Sequence, residues 1–523
     1  MKFSRFLVGT LACALMTACS NEDVQENVQT GSSGEEAYMA VNLIAPNVTS
    51  RATFDEGEGN ESTVGSARFY FFDDEGNAVD VNGNLNCIDL PSDIILTDPK
   101  PDTDGDNVEN QFTMLVLDAK SGAPTKMVAV LNPQSLAPST RLTLAQLRDY
   151  SNSYESTTGD KQFVMSNSVY LDGSNVKVDA TDITGKVYTS KDAAEDNPVA
   201  VYVERVLAKV DVTKTNAAIT GETASEDTEI DFNNEDVYVK IKGWTLANRS
   251  AKSYLVKNLD DSWTTTEPFA NWSDAGNHRS YWAKTCTTDG VVNDKAYEDI
   301  STFTTQYCHE RTQATNDATM ILVAAQLVDD EGDAITIAEY AGVRMTLDGL
   351  KTTIANQIKN TPNGKVYYHN GTGYTELAPK QIDFRTGTAD ETDVESYEVV
   401  AKLAESASST TFYKDNTGTE EYTTNEVNAI LAGYKALIWN NGMTYYFTSI
   451  EHKIGTEDAR EGVVRNHYYK VNIKGITGLG TPVFDPTINI VPEKVVDDNS
   501  YVAAQINVLS WAVVSQQDVV LGQ

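Results

Sequence analysis

The chain has 523 residues, 40% hydrophobic and 22% charged, so it is long enough for more than one hydrophobic core and too apolar to be disordered throughout. Its 76 acidic and 40 basic residues give a formal net charge of -36. This charge argues against binding to nucleic acid or to anionic lipid, because both need clustered Lys and Arg. It favours a soluble, exported surface protein.

The first residues are typical of a bacterial lipoprotein signal. Lys2 and Arg5 precede an apolar run, Phe6–Met16, that is too short to span a bilayer. Small residues then lead to Cys19, which resembles the end of a lipobox. The resemblance implies removal of residues 1–18 and attachment of diacyl lipid, including palmitate, to Cys19. An ordinary signal peptide with an incidental Cys is the alternative.

A polar tether follows, and then the run AYMAVNLIA at Ala37–Ala45. Its alternation of apolar residues predicts a β-strand, which Pro46 ends. The residues that share the apolar face are Met39, Val41 and Leu43.

Arg51 is the only Lys or Arg between Arg5 and Arg68, and an acidic, Gly-rich segment follows it. A trypsin-like protease therefore has one place to cut in this interval, the Arg51–Ala52 bond. A surface Arg in an ordinary loop is the alternative interpretation.

Short alternating runs separated by turns dominate the rest of the chain and predict an all-β protein of antiparallel sandwiches with a few short helices. Two helices are predicted, within Leu142–Tyr150 and Thr346–Asn360. The sequence DDEGNA at Asp73–Ala78 recurs as DDEGDA within Thr319–Ile337, which suggests an internal duplication, although turns favour Asp and Gly in any case. A domain boundary is predicted near residue 200.

Motifs for catalysis, metal or cofactor binding are missing from the sequence, so we expect neither an enzyme nor a cofactor. After loss of the signal, Cys286 and Cys308 are candidates for one disulfide in an oxidising compartment. Trp263, Trp272 and Trp282 lie in a polar stretch and are candidates for an exposed sugar-binding platform.

The C-terminal run INVLSWAVVSQQDVVL remains apolar and β-prone, whereas chain ends usually fray in polar residues. Unless it folds back on its own subunit, it is a strand that needs a partner. The apolar residues nearest the end are Val513, Val514, Val519, Val520 and Leu521.

Taken together, these features resemble the major shaft fimbrillins of Bacteroidales type V pili, and the Mfa-type stalk subunit most closely. The matching blocks are the lipobox ending at Cys19, the Arg51–Ala52 junction, Val203–Lys214, Val463–Ile476 and Ile506–Leu521.

The resemblance implies two transthyretin-like β-sandwich domains, at 52–199 and 200–498. It also implies that an Arg-specific protease removes residues 19–51 with their strand. The segment 499–523 of another subunit then fills the groove that is left.

The implied function is a structural pilus subunit that supports adhesion and biofilm formation. It is exported as an outer-membrane lipoprotein and assembled into a cell-surface fimbrium with copies of itself and with anchor and tip pilins. The alternatives are a tip or anchor subunit of the same pilus, and a lipid-anchored glycan-binding protein.

Overall fold

The structure is a computed structural model, and it describes the following parts of the chain. These are residues 37–45, 61, 64–90, 109–117, 123–133, 135, 137–154, 163–171, 177–214, 231–232, 235–258, 284–286, 290–311, 318–362, 364–388, 391–452, 460–493, 501–510 and 517–518.

The N-terminal domain is built on one sheet with the strand order β3-β2-β5-β7-β11-β1-β4, in which β10 pairs with β5. Its elements are β1 (Ala37–Ala45), β2 (Ala67–Phe72), β3 (Cys87–Leu90), β4 (Glu109–Leu117), β5 (Lys126–Leu131), α1 (Leu144–Arg148), β6 (Ser151–Asn152), β7 (Met165–Asn167), β8 (Tyr170–Leu171), β9 (Lys177–Val178), β10 (Thr181–Asp182), α2 (Lys191–Asp196) and β11 (Val199–Arg205).

This sheet folds over so that its two halves enclose a single core. Met39 and Val41 of β1 lie in the same buried cluster as Phe69 and Phe71 of β2, although four positions separate the two strands in the sheet. Both halves place alternate apolar residues inward, as a sandwich requires.

The C-terminal domain is a sandwich of two sheets, β19-β12-β33-β35-β36 and β15-β20-β30-β34. Its strands are β12 (Leu207–Lys214), β13 (Asp231–Phe232), β14 (Glu235–Asp236), β15 (Tyr238–Ala247), β16 (Arg249–Ser250), β17 (Ser253–Tyr254), β18 (Val291–Val292), β19 (Gln306–His309), β20 (Met320–Val328), β30 (Met443–Ser449), β31 (Glu451–His452), β32 (Arg460–Glu461), β33 (His467–Thr477), β34 (Thr481–Pro482), β35 (Tyr501–Ser510) and β36 (Gln517–Asp518).

Between β20 and β30 the chain forms an additional unit with its own buried core. Its elements are β21 (Ile337–Tyr340), β22 (Val343–Met345), α3 (Leu347–Asn360), β23 (Tyr367–His369), β24 (Tyr374–Glu376), β25 (Ile382–Thr386), β26 (Val399–Leu403), β27 (Phe412–Tyr413), β28 (Glu421–Tyr422), α4 (Thr424–Leu431) and β29 (Lys435–Trp439). Four short 3-10 helices complete the described secondary structure, at Tyr297–Asp299, Pro379–Gln381, Glu405–Ala407 and Asn440–Gly442.

The structure confirms the predicted fold class and both predicted helices. Thr143 and Thr346 cap α1 and α3, and each Thr hydroxyl accepts from the backbone N–H three residues on. Alternation is clear in β15, where Val239 and Ile241 are buried and Lys240 is exposed between them. Mostly antiparallel strands with few short helices follow from these local patterns.

The repeated acidic turn has the same geometry in both domains. Gly76 and Gly332 have φ of +82° and +86°. The Asp73 Oδ1 accepts from the Asn77 N–H at 2.8 Å, and Asp329 Oδ1 accepts from the Asp333 N–H at the same distance. Each turn follows an interior strand, β2 or β20. The equivalence supports the suggested duplication.

The sheets change at Val206 rather than at residue 200. β11 ends the N-terminal sheet at Arg205, and β12 begins the C-terminal one at Leu207. Sequence alternation continues across the junction because both strands are half-buried, so the local pattern contains no boundary signal there.

The two domains are joined by a shared core and by buried ion pairs. Leu255 and Val464 of the C-terminal half pack in one cluster with Tyr70 and Phe163 of the N-terminal domain. Lys257 Nζ donates to Glu204 Oε2 at 2.9 Å, and both side chains are 0% exposed. Lys209 Nζ of β12 lies 2.9 Å from Glu61 Oε1 of the N-terminal half, and both side chains are buried. The domains are therefore docked through a packed interface.

Candidate assembly site

The predicted strand Ala37–Ala45 lies in the interior of the N-terminal sheet. β1 pairs antiparallel with β4 along its whole length. On its other side it runs parallel to β11, where Val41 to Ile44 face Val199 to Tyr202. The sheet holds this strand on both edges.

Both faces of β1 are covered near its centre. Met39 and Val41 are 0% exposed and pack with Leu115 of β4 and Val201 of β11. On the opposite face Ala40 packs with Ala194 of α2 and with Tyr188. The side chain of Leu43 lies outside the described part of the structure, although its backbone pairs with Gln111 and Val201.

Helix α2 forms the outer cover because its sequence starts a helix at this point. The Ser190 hydroxyl accepts from the Ala193 N–H at 3.2 Å, and Asp192 lies in the first turn. Ala194 is the only buried residue of this helix. Its small side chain lets α2 lie close to the equally small Ala40. The contact with Ala40 was not predicted, because nothing in the local pattern links the two alanines.

The position of β4 makes β1 important for the whole sheet. β4 is at the end of the strand order, and β1 is its neighbour in the described sheet. Val116, on the face of β4 away from the core, is 49% exposed. Without β1, the backbone groups of β4 and of one edge of β11 would lose their partners, and the core beneath would open to water.

The C-terminal domain has the same arrangement of three strands around its own first strand, β12. β12 lies between β19, which is antiparallel to it, and β33, which is parallel to it. The order β19-β12-β33 thus corresponds to β4-β1-β11. The first strand of each domain therefore occupies the same position, but only β1 has the Arg51–Ala52 bond between it and the rest of its domain.

The C-terminal segment folds back on its own subunit in this structure. β35 pairs antiparallel with β33 over Tyr501–Ser510, and β36 pairs with β35 at Gln505 and Ile506. The five apolar residues near the end lie outside the described residues, as do Cys19, Arg51 and Ala52. The structure therefore places β35 in the C-terminal sheet. The predictions for Cys19, Arg51, Ala52 and the five apolar residues near the end stay predictions.

Cys286 and Cys308, the candidates for one disulfide, are both buried. Cys308 of β19 lies in the core of the C-terminal sandwich. Cys286 instead lies near Tyr154 and Tyr254, whose pKa values are raised first by burial and further by neighbouring acidic groups that include Cys286. The two cysteines lie in different surroundings, which their positions in the sequence did not predict.

The tryptophans that the structure describes do not form a platform. Trp244 and Trp439 are buried, at 2% and 0% exposure, and both pack in the C-terminal core. Trp263, Trp272, Trp282 and Trp511 lie outside the described residues. Within the described ranges there is no group of His, Cys, Asp and Glu that could hold a metal ion, and no helix is long and apolar enough to cross a membrane.

Residues 438–517 match the family model for the C-terminal part of fimbrillin, the major fimbrial subunit protein type IV. No curated protein matches the chain. Among solved structures, a putative cell adhesion protein from Parabacteroides distasonis is 14% identical, with a TM-score of 0.38, over 92% of this chain and 98% of that one. A fimbrilin (fimA) from Porphyromonas gingivalis is 12% identical, with a TM-score of 0.35, over 91% and 99%.

The tip fimbrial protein Mfa3 from Porphyromonas gingivalis is 11% identical, with a TM-score of 0.30, over 91% of this chain and 100% of that one. The family match extends from the end of β29 to the first residue of β36, so it includes both β33 and β35. Residues 438–517 are therefore similar to the C-terminal region of fimbrillins, which agrees with the fimbrillin resemblance of the sequence.

Proposed function

We propose that this protein is the shaft subunit of a cell-surface pilus, assembled by exchange of one strand between subunits. The proposal is based on the position of β1 between β4 and β11. The Arg51–Ala52 bond, which a trypsin-like protease can cut, follows β1 in the sequence. Before cleavage, β1 fills its own slot and prevents premature assembly. Cleavage after Arg51 removes it, and the C-terminal segment 499–523 of another subunit takes its place.

The energetics favour refilling of the slot. An empty slot leaves unpaired backbone N–H and C=O groups along β4 and β11. Each fully buried aliphatic or Met side chain contributes roughly 1.5–3 kcal/mol, so a replacement strand with several of them dissociates slowly. Strand addition satisfies the ladder and buries alternate side chains at the same time.

One slot and one donor strand on each subunit make a heterologous contact. Such a contact does not close on itself, so it propagates as a filament. The docked interface between the two domains keeps slot and donor in a fixed relation within each subunit. A shaft needs both properties, whereas a tip subunit has no need to donate and an anchor has no need of cleavage.

The proposal includes the route to the surface. Lipid on Cys19 holds the precursor at the outer membrane until an Arg-specific protease releases the subunit into the fimbrium. Its partners are copies of itself and accessory anchor and tip pilins. The filament then supports adhesion and biofilm formation.

A limited digest tests the proposal. The purified protein from Cys19 onward is treated with a low dose of trypsin and run on SDS gels without boiling. We expect a ladder of oligomers whose subunits begin at Ala52. Cleavage at Arg51 without any oligomer would contradict the proposal. The matched control is the same digest of a chain that ends before Tyr501, which we expect to be cut and to remain monomeric.

A further inference from the structure

The sequences of β1 and β35 correspond over the second half of each strand. β1 ends in Val-Asn-Leu-Ile-Ala at 41–45, and β35 ends in Ile-Asn-Val-Leu-Ser at 506–510. In both, an Asn lies between aliphatic residues and a small residue comes last. We propose that β35 is the strand that replaces β1 in the neighbouring subunit, with Asn507 in the position of Asn42. This inference rests on the proposed function and names the segment and register of the exchange.

The core face of the slot takes apolar residues at alternate positions. Met39 and Val41 point into the core of the N-terminal domain, and position 43 is the next in this alternation along the strand. In the proposed register Ala504, Ile506 and Val508 take these three positions. A slip by one residue would direct Gln505 and Asn507 into the core instead, where their polar groups would be buried without partners. The alternation thus excludes one-residue slips, and the match of Asn507 to Asn42 distinguishes the proposed register from slips by two residues.

The direction of the strand is fixed as well. Aligned in the same sense as β1, β35 would run parallel to β11 and antiparallel to β4, as β1 does. Residues 502–510 then cover the same length as 37–45. No reversal of the donor is needed for its side chains to meet the existing core.

Two other segments compete less well. In the run from Val513 to Leu521, Ser515, Gln516, Gln517 and Asp518 interrupt both alternating faces. The segment at 488–491 repeats the pattern as Ile-Asn-Ile-Val, but it is bound within its own domain. There the Ile490 N–H donates to the Lys295 carbonyl at 2.9 Å, and Asn489 forms a β-bridge with Ala296. Neither segment offers both the pattern and an edge position.

β35 is placed so that it can leave without breaking up its own domain. It lies outside β33 in the sheet, and among the described strands its other neighbour is the short β36. After its departure β33 keeps its parallel ladder with β12 over Lys209 to Lys214. In the slot, by contrast, a strand pairs on both sides, with β4 along Ala37–Ala45 and with β11 along part of that length. The ten positions paired with β33 and the two paired with β36 are thus replaced by nine with β4 and four with β11, so the exchange costs β35 no backbone pairing.

One position of the donor differs in size from the strand that it replaces. Gln505 takes the position of Ala40, which is 1% exposed against Ala194 and Tyr188. Helix α2 must therefore move outward to accept the longer side chain. We expect Gln505→Ala to increase the rate of ladder formation, because Ala fits beneath α2 without that movement.

Cysteine pairs test the register directly. Leu43 faces Gln111 across the β1–β4 ladder, and residues opposite each other in such a ladder have Cβ atoms close enough for a disulfide. Full-length Gln111→Cys carrying Val508→Cys is cleaved, assembled, oxidised and boiled in SDS without reductant. We expect a covalent ladder that reductant collapses. Gln111→Cys alone controls for the natural cysteines.

The matched controls are Gln111→Cys with Leu509→Cys, which tests a one-residue slip, and Gln111→Cys with Val520→Cys, which tests the extreme terminus. A covalent ladder from either control, with none from the Val508 pair, would overturn the inference while leaving strand exchange intact. Absence of any ladder from the cleaved wild-type chain in unboiled SDS would overturn the proposed function and this inference together. A chain that ends at Ser510 gives a second measurement, and we expect it to form ladders still.

Discussion

Val41 and Val199 face each other across the parallel ladder between β1 and β11, and both side chains are buried in the core of the N-terminal domain. The pair joins a strand that we propose is removed to one that stays. Whatever replaces β1 must therefore offer Val199 a new apolar partner at the same position. That requirement, and the interface between the two domains, determine how variants of these residues should behave.

Cleavage at Arg51 is the first requirement. We expect Arg51→Ala to leave the precursor folded and to abolish the oligomer ladder after trypsin treatment, because β1 then stays in its slot. Arg141→Ala is the matched control, since Arg141 is an exposed Arg of the same domain. SDS gels without boiling give the readout. A full ladder from Arg51→Ala would show that release of β1 is not needed.

The contribution of β1 to the stability of the precursor is measurable at Met39. We expect Met39→Ala to lower the free energy of unfolding by about 2–5 kcal/mol, because it leaves a cavity in a fully buried position. Val116→Ala on the neighbouring strand is the control, and its exposure limits the change to about 0.5 kcal/mol. Urea unfolding followed by fluorescence checks both values.

The same variant also separates precursor stability from filament stability. Met39 leaves with β1, so ladders made from Met39→Ala and from wild type should resist heating in SDS equally. A weaker ladder from the variant would mean that β1 remains in the assembled subunit.

Much of this architecture was predictable from local pattern. The alternation in β1, β12 and β15, and the capping Thr residues of α1 and α3, are short-range signals that the sequence shows directly. The acidic turn at Asp73 predicted its counterpart at Asp329, because the same residues satisfy the same backbone groups in both.

The remaining features depend on contacts between distant residues. That β1 lies between β4 and β11, rather than at an edge, follows from pairings with residues up to about 160 positions away. The additional unit between β20 and β30, and the domain change at Val206, are likewise invisible in local alternation. The covering of Ala40 by Ala194 could not be predicted for the same reason.

The buried pair Lys257–Glu204 fixes the end of β11 to the C-terminal half. We expect Lys257→Met to destabilise the protein by about 3–5 kcal/mol, because it leaves a buried carboxylate without its ion-pair partner. The double variant Lys257→Met with Glu204→Leu should recover most of this loss, since it removes both charges. Urea unfolding midpoints measure the recovery. A double variant no more stable than the single one would contradict the role given to the pair.

The loss in Lys257→Met should depend on pH. Burial raises the pKa of Glu204, and Lys257 opposes that rise in the wild type. Without Lys257, the pKa of Glu204 is higher in the folded than in the unfolded chain. The stability of the variant relative to wild type is then greatest below the unfolded pKa of about 4 and falls as the pH rises through the folded value. Unfolding at a series of pH values checks the sign.

The two acidic turns offer a matched pair of glycines. Replacement of Gly76 or Gly332 by Ala costs about 1–2 kcal/mol, because both have positive φ. The Ala at 76 should cost more, since its Cβ would lie 3.3 Å from Cβ of Leu144, whereas nothing lies within 4 Å at 332. Equal losses in urea unfolding would mean that α1 moves away freely.

The most direct test of strand exchange is the N-terminal sequence of subunits recovered from the ladder itself. Oligomer bands are cut from an unboiled gel, dissociated by heat and sequenced, with the monomer band as the comparison. We expect every subunit that has accepted a donor to begin at Ala52 and to lack β1. Oligomers whose subunits still begin upstream of Ala37, with β1 retained, would contradict it.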